Sequence, residues 1–238
     1  MVNDLKQKGV SVAKSLEDVP EGTTVIIRSH GVPKRLIDSL EKKNIPYIDC
    51  TCPFVKKIHN IVREMSEKGD EIVVVGSASH PEVVGILGWV KGTATVIENI
   101  DEARAFLPKD PEKEVCIVAQ TTFNSKKFQD LVEIFKKKVY HINIVNTICK
   151  ATLDRQKEAE SLAECSEAMI VIGGKQSSNS KKLYDICNHK CSHTFFIQTA
   201  DDLSDIDLGS FASLSITAGA STPNTLIQEV IRHVRNEF

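Results

Sequence analysis

The chain has 238 residues, and its 30 basic and 32 acidic side chains leave a formal charge of −2, so no cationic field marks it for nucleic acid. Its apolar runs, such as Ile72–Val75 and Met169–Ile172, are strand-sized and far short of a membrane span, and the opening Met-Val-Asn-Asp-Leu-Lys-Gln-Lys-Gly lacks the apolar core of a secretory signal. Seven cysteines, an odd number, point to reduced thiols in a cytoplasmic protein, with metal binding or catalysis ahead of disulfides.

In chain order, an acidic segment, Ser15–Asp18, predicts a short helix before the strand Thr24–Ile27, which runs into the polar cluster Ser29-His30-Gly31. A second strand reaches Asp49-Cys50-Thr51-Cys52, and a helix follows with Phe54, Ile58, Ile61, Val62 and Met65 as its core stripe. The strand Ile72–Val75 then meets a glycine turn and His80-Pro81-Glu82. A second acidic segment, Glu98–Glu102, precedes the strand Val115–Val118, the cluster Gln120-Thr121-Thr122 and a helix with Phe128, Leu131, Val132 and Phe135 facing inward. Another strand, Ile142–Val145, leads through Asn146 to Cys149 and a further helix. Met169–Ile172 then runs into Gly173-Gly174 and Ser177-Ser178-Asn179, which also cap the following helix. A third acidic segment, Gln198–Asp202, precedes Leu214–Thr217 and the cluster Gly219-Ala220-Ser221.

This order repeats with a period of about 100 residues. Cys52 and Cys149 occupy the same point of the repeat, between a strand and a helix, as do His30, Thr121 and Ser221 at the late cluster, and His80 and Ser177 at the early one. Strand–helix alternation predicts an α/β fold of parallel sheets. The period divides it into a partial first unit over 1–52 and complete units over 53–148 and 149–238, arranged about a pseudo-threefold axis with both cysteines turned to its centre. Carried backward, the period puts a further cysteine roughly 40 residues before Met1 and an early cluster about ten residues before it, so the chain is expected to begin inside a domain.

Each cluster lies at a strand's carboxyl end where a helix begins, a place that favours anions. Converging clusters would cradle a phosphate or diphosphate, and central thiolates would hold iron–sulfur or zinc. The residues Ser29-His30-Gly31-Val32, Asp49-x-Thr51-Cys52-Pro53, Gly76-x-x-x-His80-Pro81-Glu82-Val83-x-Gly85, Gln120-Thr121-Thr122, Thr147-x-Cys149-x-Ala151-Thr152-x-x-Arg155-Gln156, Ser177-Ser178-Asn179-Ser180 and Thr217-Ala218-Gly219-Ala220-Ser221-x-Pro223 together resemble the LytB-type 4-hydroxy-3-methylbut-2-enyl diphosphate reductases of the non-mevalonate isoprenoid pathway. The resemblance covers the whole chain with its motifs in matching order.

The resemblance implies a three-lobed α/β fold around a 4Fe–4S cluster held by three cysteines, two of them Cys52 and Cys149. It implies substrate binding, mainly through the diphosphate, by His30, His80, Thr121, Ser177, Ser178, Asn179 and Ser221, with Glu82 as proton donor. The reaction implied is a reductive dehydration of a small allylic diphosphate to isopentenyl and dimethylallyl diphosphates, with electrons from a carrier such as ferredoxin or flavodoxin. The family's first cluster cysteine and an early histidine have no counterpart here, so the 238 residues alone are expected to be inactive. Two readings from other classes stand beside this one: a non-catalytic diphosphate-binding scaffold and a zinc-dependent hydrolase of phosphorylated metabolites.

Outside the motifs, Cys50, Cys116 and Cys165 are expected in the core. His59, His141 and His233 are expected to be solvated or hydrogen-bonded. Cys187-Asn188-His189-Lys190-Cys191-Ser192-His193 offers four metal-binding side chains at a spacing that fits no common zinc motif, and is expected to be a surface loop.

Overall fold

A computed structural model describes residues 2–237. The chain forms two compact units, Met1–Ile148 and Cys149–Phe238.

The first unit opens with α1 (Val2–Gln7), a short helical turn at Leu16–Asp18, β1 (Val25–Ile27), α2 (Lys34–Lys42) and β2 (Tyr47–Asp49). It continues through α3 (Pro53–Lys68), β3 (Glu71–Val75), α4 (Pro81–Leu87), β4 (Ala94–Ile97), α5 (Ile100–Ala105), β5 (Val115–Ala119), α6 (Ser125–Lys138) and β6 (Ile142–Val145). Strands β1 and β2 form a parallel pair, and β4-β3-β5-β6 form a parallel sheet. The second unit contains α7 (Lys150–Cys165), β7 (Ala168–Ile172), α8 (Ser178–Lys190), β8 (His193–Ile197), a helical turn at Ala200–Leu203, β9 (Leu214–Ala218) and α9 (Asn224–Glu237). Its sheet, ordered β8-β7-β9, is again parallel.

The repeat read from composition is visible in this topology. Strand β3 lies between β4 and β5 as β7 lies between β8 and β9, and β2 joins β1 as β6 joins β5. The three acidic segments become short helical turns closed by one device. The backbone N–H groups of Ser15, Glu98 and Thr199 donate to Asp18 (3.1 Å), Glu102 (2.7 Å) and Asp202 (3.1 Å) carboxylates. Carboxylates in a first helical turn also meet the positive end of the helix dipole.

Apolar strands covered on both faces read as continuous hydrophobic runs, and β3, β5 and β7 are of this kind. Every residue of β5 and β7 is buried, as are Ile72–Val75 of β3. One face of β3, Ile72 and Val74, packs with Ile58 and Val62 of α3 and Val83 and Ile86 of α4. In β7 the alternation is explicit: Ile170 and Ile172 meet Val230 and Val234 of α9, whereas Met169 and Val171 meet Ala159 and Ala163 of α7 and Leu183 of α8. Phe128, Leu131 and Phe135 of α6 are buried as their spacing predicts. Phe54 corrects the expected stripe of α3, because it is 52% exposed. It lies in the first turn, where Val55 is the buried residue instead. No helix among the described residues is long and apolar enough to cross a membrane.

Candidate functional site

In the first unit β1, β2, β3 and β5 end in the polar clusters, and parallel strands present such ends on one side of a sheet. After β3 the chain turns into α4, whose N-cap is His80, and the Nδ1 of His80 accepts from the Glu82 backbone N–H at 3.1 Å. That acceptor role assigns the ring proton of neutral His80 to Nε2. Pro81 stands in the first turn, where its missing N–H is harmless.

Glu82 is only 2% exposed. Its carboxylate accepts from the Thr121 backbone N–H at 2.6 Å and from Thr121 Oγ1 at 2.7 Å, so the early and late clusters are bolted together across 39 residues of chain. Gln120, fully buried, fixes this junction by accepting from the Ser77 N–H and donating through Nε2 to Thr122 Oγ1 at 3.0 Å. The His30 ring meets that of His80 edge to face, with centroids 5.4 Å apart. A Cβ on Gly85 would lie 3.4 Å from the His30 carbonyl oxygen, so α4 packs directly against the His30 turn. Burial, and secondarily the Arg28 charge, push the His30 pKa below the ordinary histidine range. Its Nδ1 is buried without a hydrogen-bond partner, an uncommon state for a polar atom. Four expected site residues, His30, His80, Glu82 and Thr121, thus occupy one location.

Cys52 stands beside them, since its backbone N–H donates to Ser29 O at 3.0 Å. The approach to Cys52 and Cys149 is built alike. Asp49 Oδ1 accepts from Thr51 N at 2.9 Å and Asn146 Oδ1 accepts from Ile148 N at 3.1 Å, and in each case a cysteine N-caps the next helix. Thr147 pins the second turn by hydrogen bonds to the Ala119 N–H and carbonyl, at 2.8 and 2.5 Å. Neither cysteine makes the side-chain cap bond that His80, Asn99, Asn124 and Ser177 make for their helices. A poor capping residue at two equivalent helix starts, half-exposed and uncommitted, suits a thiolate ligand. Among the described residues no group of three His, Cys, Asp or Glu side chains is near enough to hold a metal ion by itself.

In the second unit Ser177 caps α8 by accepting from the Ser180 N–H at 3.2 Å, with Ser178 and Asn179 in the first turn. Ser180, 1% exposed, sits between the ends of β7 and β9, where a Cβ on either Gly173 or Gly219 would fall 2.2 Å from its Oγ. Asn179 Nδ2 is buried and unpartnered. Ser221 follows β9 in an exposed turn.

The remaining thiols and imidazoles correct several expectations. Cys116 is in the core, its thiol pushed up to about 12 by burial. Cys50 and Cys165 are exposed: Cys50 lies just past the end of β2, and Cys165 is the last residue of α7. The Cys187–His193 segment is exposed at Asn188, His189, Lys190, Ser192 and His193 as a surface connection would be. It is, however, the last turn of α8 leading into β8 and not a loop throughout, and Cys187 and Cys191, one helical turn apart, share the buried face. Burial raises Cys187 to about 11, so it behaves as a small hydrophobe. His59 is neither solvated nor fully bonded; it is 3% exposed and its Nε2 has no partner. Its spacing within the apolar stripe of α3 was the signal that sequence reasoning passed over.

Fold and site define a parallel α/β protein whose first unit brings two imidazoles and a buried carboxylate together at its strand ends, and in which two helices start at cysteines without a side-chain cap. Residues 1–235 match the family model described as LytB protein. The 4-hydroxy-3-methylbut-2-enyl diphosphate reductase of Thermoanaerobacter sp. (strain X514) is 45% identical over 237 residues, covering 99% of this chain and 81% of that protein. Among solved structures, an (E)-4-hydroxy-3-methyl-but-2-enyl diphosphate reductase, the terminal enzyme of the non-mevalonate pathway, is 38% identical with a TM-score of 0.68, over 99% of this chain and 83% of the other. The Plasmodium falciparum E-1-hydroxy-2-methyl-but-2-enyl-4-diphosphate reductase matches with a TM-score of 0.91 at 28% identity, over 97% of this chain and 73% of the other. The chain belongs to the LytB protein family.

Proposed function

We propose that this protein is a 4-hydroxy-3-methylbut-2-enyl diphosphate reductase, an oxidoreductase of the non-mevalonate isoprenoid pathway. The observation that carries the proposal is the buried Glu82 carboxylate, held by both donors of Thr121 beside the His30–His80 pair. The reading assigns one unit to each sheet, over 1–52, 53–148 and 149–238, and places the protein in the cytoplasm with ferredoxin or flavodoxin as electron donor.

In this reading Cys52 and Cys149 are thiolate ligands of a 4Fe–4S cluster. When bound, the cluster would pass on two electrons, received one at a time from the ferredoxin or flavodoxin donor, and would offer a Lewis-acidic iron to the departing hydroxyl. His30, His80, Thr121, Ser177, Ser178, Asn179 and Ser221 bind the substrate, chiefly by donating to its diphosphate. The orphan His30 Nδ1 and Asn179 Nδ2 support this, since a buried polar atom lacking a partner is costly and an anion's oxygens would satisfy it. Neutral His80, with Nδ1 accepting from the Glu82 N–H, carries its proton on Nε2 and so has a donor to offer. Glu82 holds the proton. The Thr121 hydroxyl can donate to the carboxylate or accept from the carboxylic acid, so proton release needs only a hydroxyl rotation. One proton leaves with the hydroxyl as water and the second completes the allylic carbon, balancing the two electrons.

Calorimetry with inorganic diphosphate tests the binding half. His80→Ala and Asn179→Ala should each weaken affinity by about 10-fold, the value of one lost charge-assisted hydrogen bond; unchanged affinity in both would remove the site assignment. Anaerobic reconstitution followed by iron and sulfide analysis tests the thiolates. Cys52→Ser and Cys149→Ser should each lose most of the bound iron, and zinc retained in place of iron would favour a hydrolase.

A further inference from the structure

We propose that His59 is a positioning residue for His30: its imidazole, clamped by Trp89, is the floor on which the Arg28–Gly31 turn rests. The inference depends on the assignment of His30 to the ligand site, and adds a residue that never touches the ligand.

Gly31 N donates to Arg28 O at 3.0 Å, closing the turn that carries His30. Gly31 has φ +72°, and a Cβ there would fall 2.6 Å from His59 Cε1, 3.2 Å from His59 Nε2 and 3.1 Å from Thr51 Cγ2. The backbone of the turn is therefore pressed on the edge of the His59 ring, a conformation and a contact that only glycine allows. The opposite support comes from Trp89. Its indole stacks on His59 with centroids 5.0 Å apart and planes 16° from parallel, while its Nε1–H donates to Val32 O at 2.9 Å. The same two rings thus press on Gly31 and grip Val32, holding the residues that follow His30. From α4, Gly85 closes on the His30 carbonyl. With its backbone fixed from these sides, His30 is left to meet His80 edge to face.

A histidine is a poor choice for this pocket on stability alone, because Nε2 is buried without a partner and an apolar ring would avoid that cost. Its five-membered ring is, however, one atom shorter in reach than phenylalanine, and the contact with Gly31 leaves no room for that atom. Burial lowers the His59 pKa to about 4, so the ring stays neutral beneath a site that must attract an anion with its own donors.

The test compares wild type, His59→Phe, Gly31→Ala and His30→Ala by imidazole-detected NMR and by calorimetry with inorganic diphosphate. His59→Phe keeps the stack on Trp89 but lengthens the ring toward Gly31; it should shift the His30 resonances and weaken diphosphate binding roughly 10-fold through misplacement of a donor, while the His141 resonances stay in place. Gly31→Ala approaches the same contact from the other side and should move His30 in the same way, which keeps the test decisive if the phenylalanine variant fails to fold. Unmoved His30 resonances with unchanged affinity in the folded variants would overturn the proposal and leave His59 as core. The outcome in which His30→Ala itself binds diphosphate normally removes His30 from the ligand site, and is told apart because the His30 resonances still report the His59 contact in the other variants.

Discussion

At the residue scale, Glu82 and Thr121 show how a buried carboxylate is tolerated. Thr121→Val removes one of the two donors to the buried Glu82 carboxyl and should cost about 1–3 kcal/mol, the range for leaving a buried polar group short of a partner, read from urea unfolding at pH 7. Glu82→Gln should cost less, because the amide oxygen can accept from the Thr121 N–H while its NH2 donates to the threonine hydroxyl; equal losses in the two variants would contradict this account. His59 carries a pH prediction. Its folded pKa of about 4 lies below the unfolded value of 6.5, so the unfolded chain binds more protons between those values. The stability present above about pH 6.5 is therefore lost as pH falls toward 4, by about 2 kcal/mol at pH 5. The stability of wild type relative to His59→Phe should fall by about 2 kcal/mol as the pH drops from 7 to 5, read from urea unfolding of both. The places of His30 and His80 were legible because each sits at a repeated strand end, whereas Glu82 was singled out by the family resemblance. The exposure of Phe54, Cys50 and Cys165 was not, since a stripe or a thiol says nothing about whether a neighbour covers that particular turn.

At the element scale, the helices divide by how they begin. His80, Asn99, Asn124 and Ser177 cap with their side chains, and Cys52 and Cys149 do not. Replacing Cys52 by serine supplies the missing cap, so the metal-free protein should gain about 0.5–1 kcal/mol by urea unfolding, even as the same change loses iron after reconstitution. A stability loss in the metal-free variant would show that Cys52 packs rather than waits for a ligand. Strands divide by coverage. Each buried Val, Ile or Leu contributes about 1.5–3 kcal/mol relative to exposure, and β3, β5 and β7 are made of such residues. The β1–β2 pair instead leaves Ile26 and Ile48, partners across the ladder, 53% and 55% exposed. Amide exchange should be slowest in β3, β5 and β7 and faster by orders of magnitude in β1 and β2; uniform protection would mean that the pair is held by more than its own contacts.

At the scale of the whole molecule, the sequence by itself determined the order of parts: parallel α/β units, acidic helical turns, polar strand ends and two cysteines at one point of the repeat. These are local signals, each carried by a few neighbouring residues of fixed periodicity or turn chemistry, so they survive without knowledge of the fold. The near-neutral charge was equally legible, and binding of a polyanion should show little of the salt dependence that phosphate-tracking proteins display, measurable by titration with duplex DNA at two salt concentrations. Only the tertiary structure decided which distant residues meet. Glu82 finds Thr121 39 residues away, His30 finds His80, and His59 comes to lie under Gly31. The tertiary structure also placed Cys187 and Cys191 in the core, within a segment, Cys187–His193, whose other residues are exposed. Those outcomes depend on strand order, helix rotation and the closeness of backbone approach, quantities set by the packing of the whole chain, and no stretch of sequence encodes them alone.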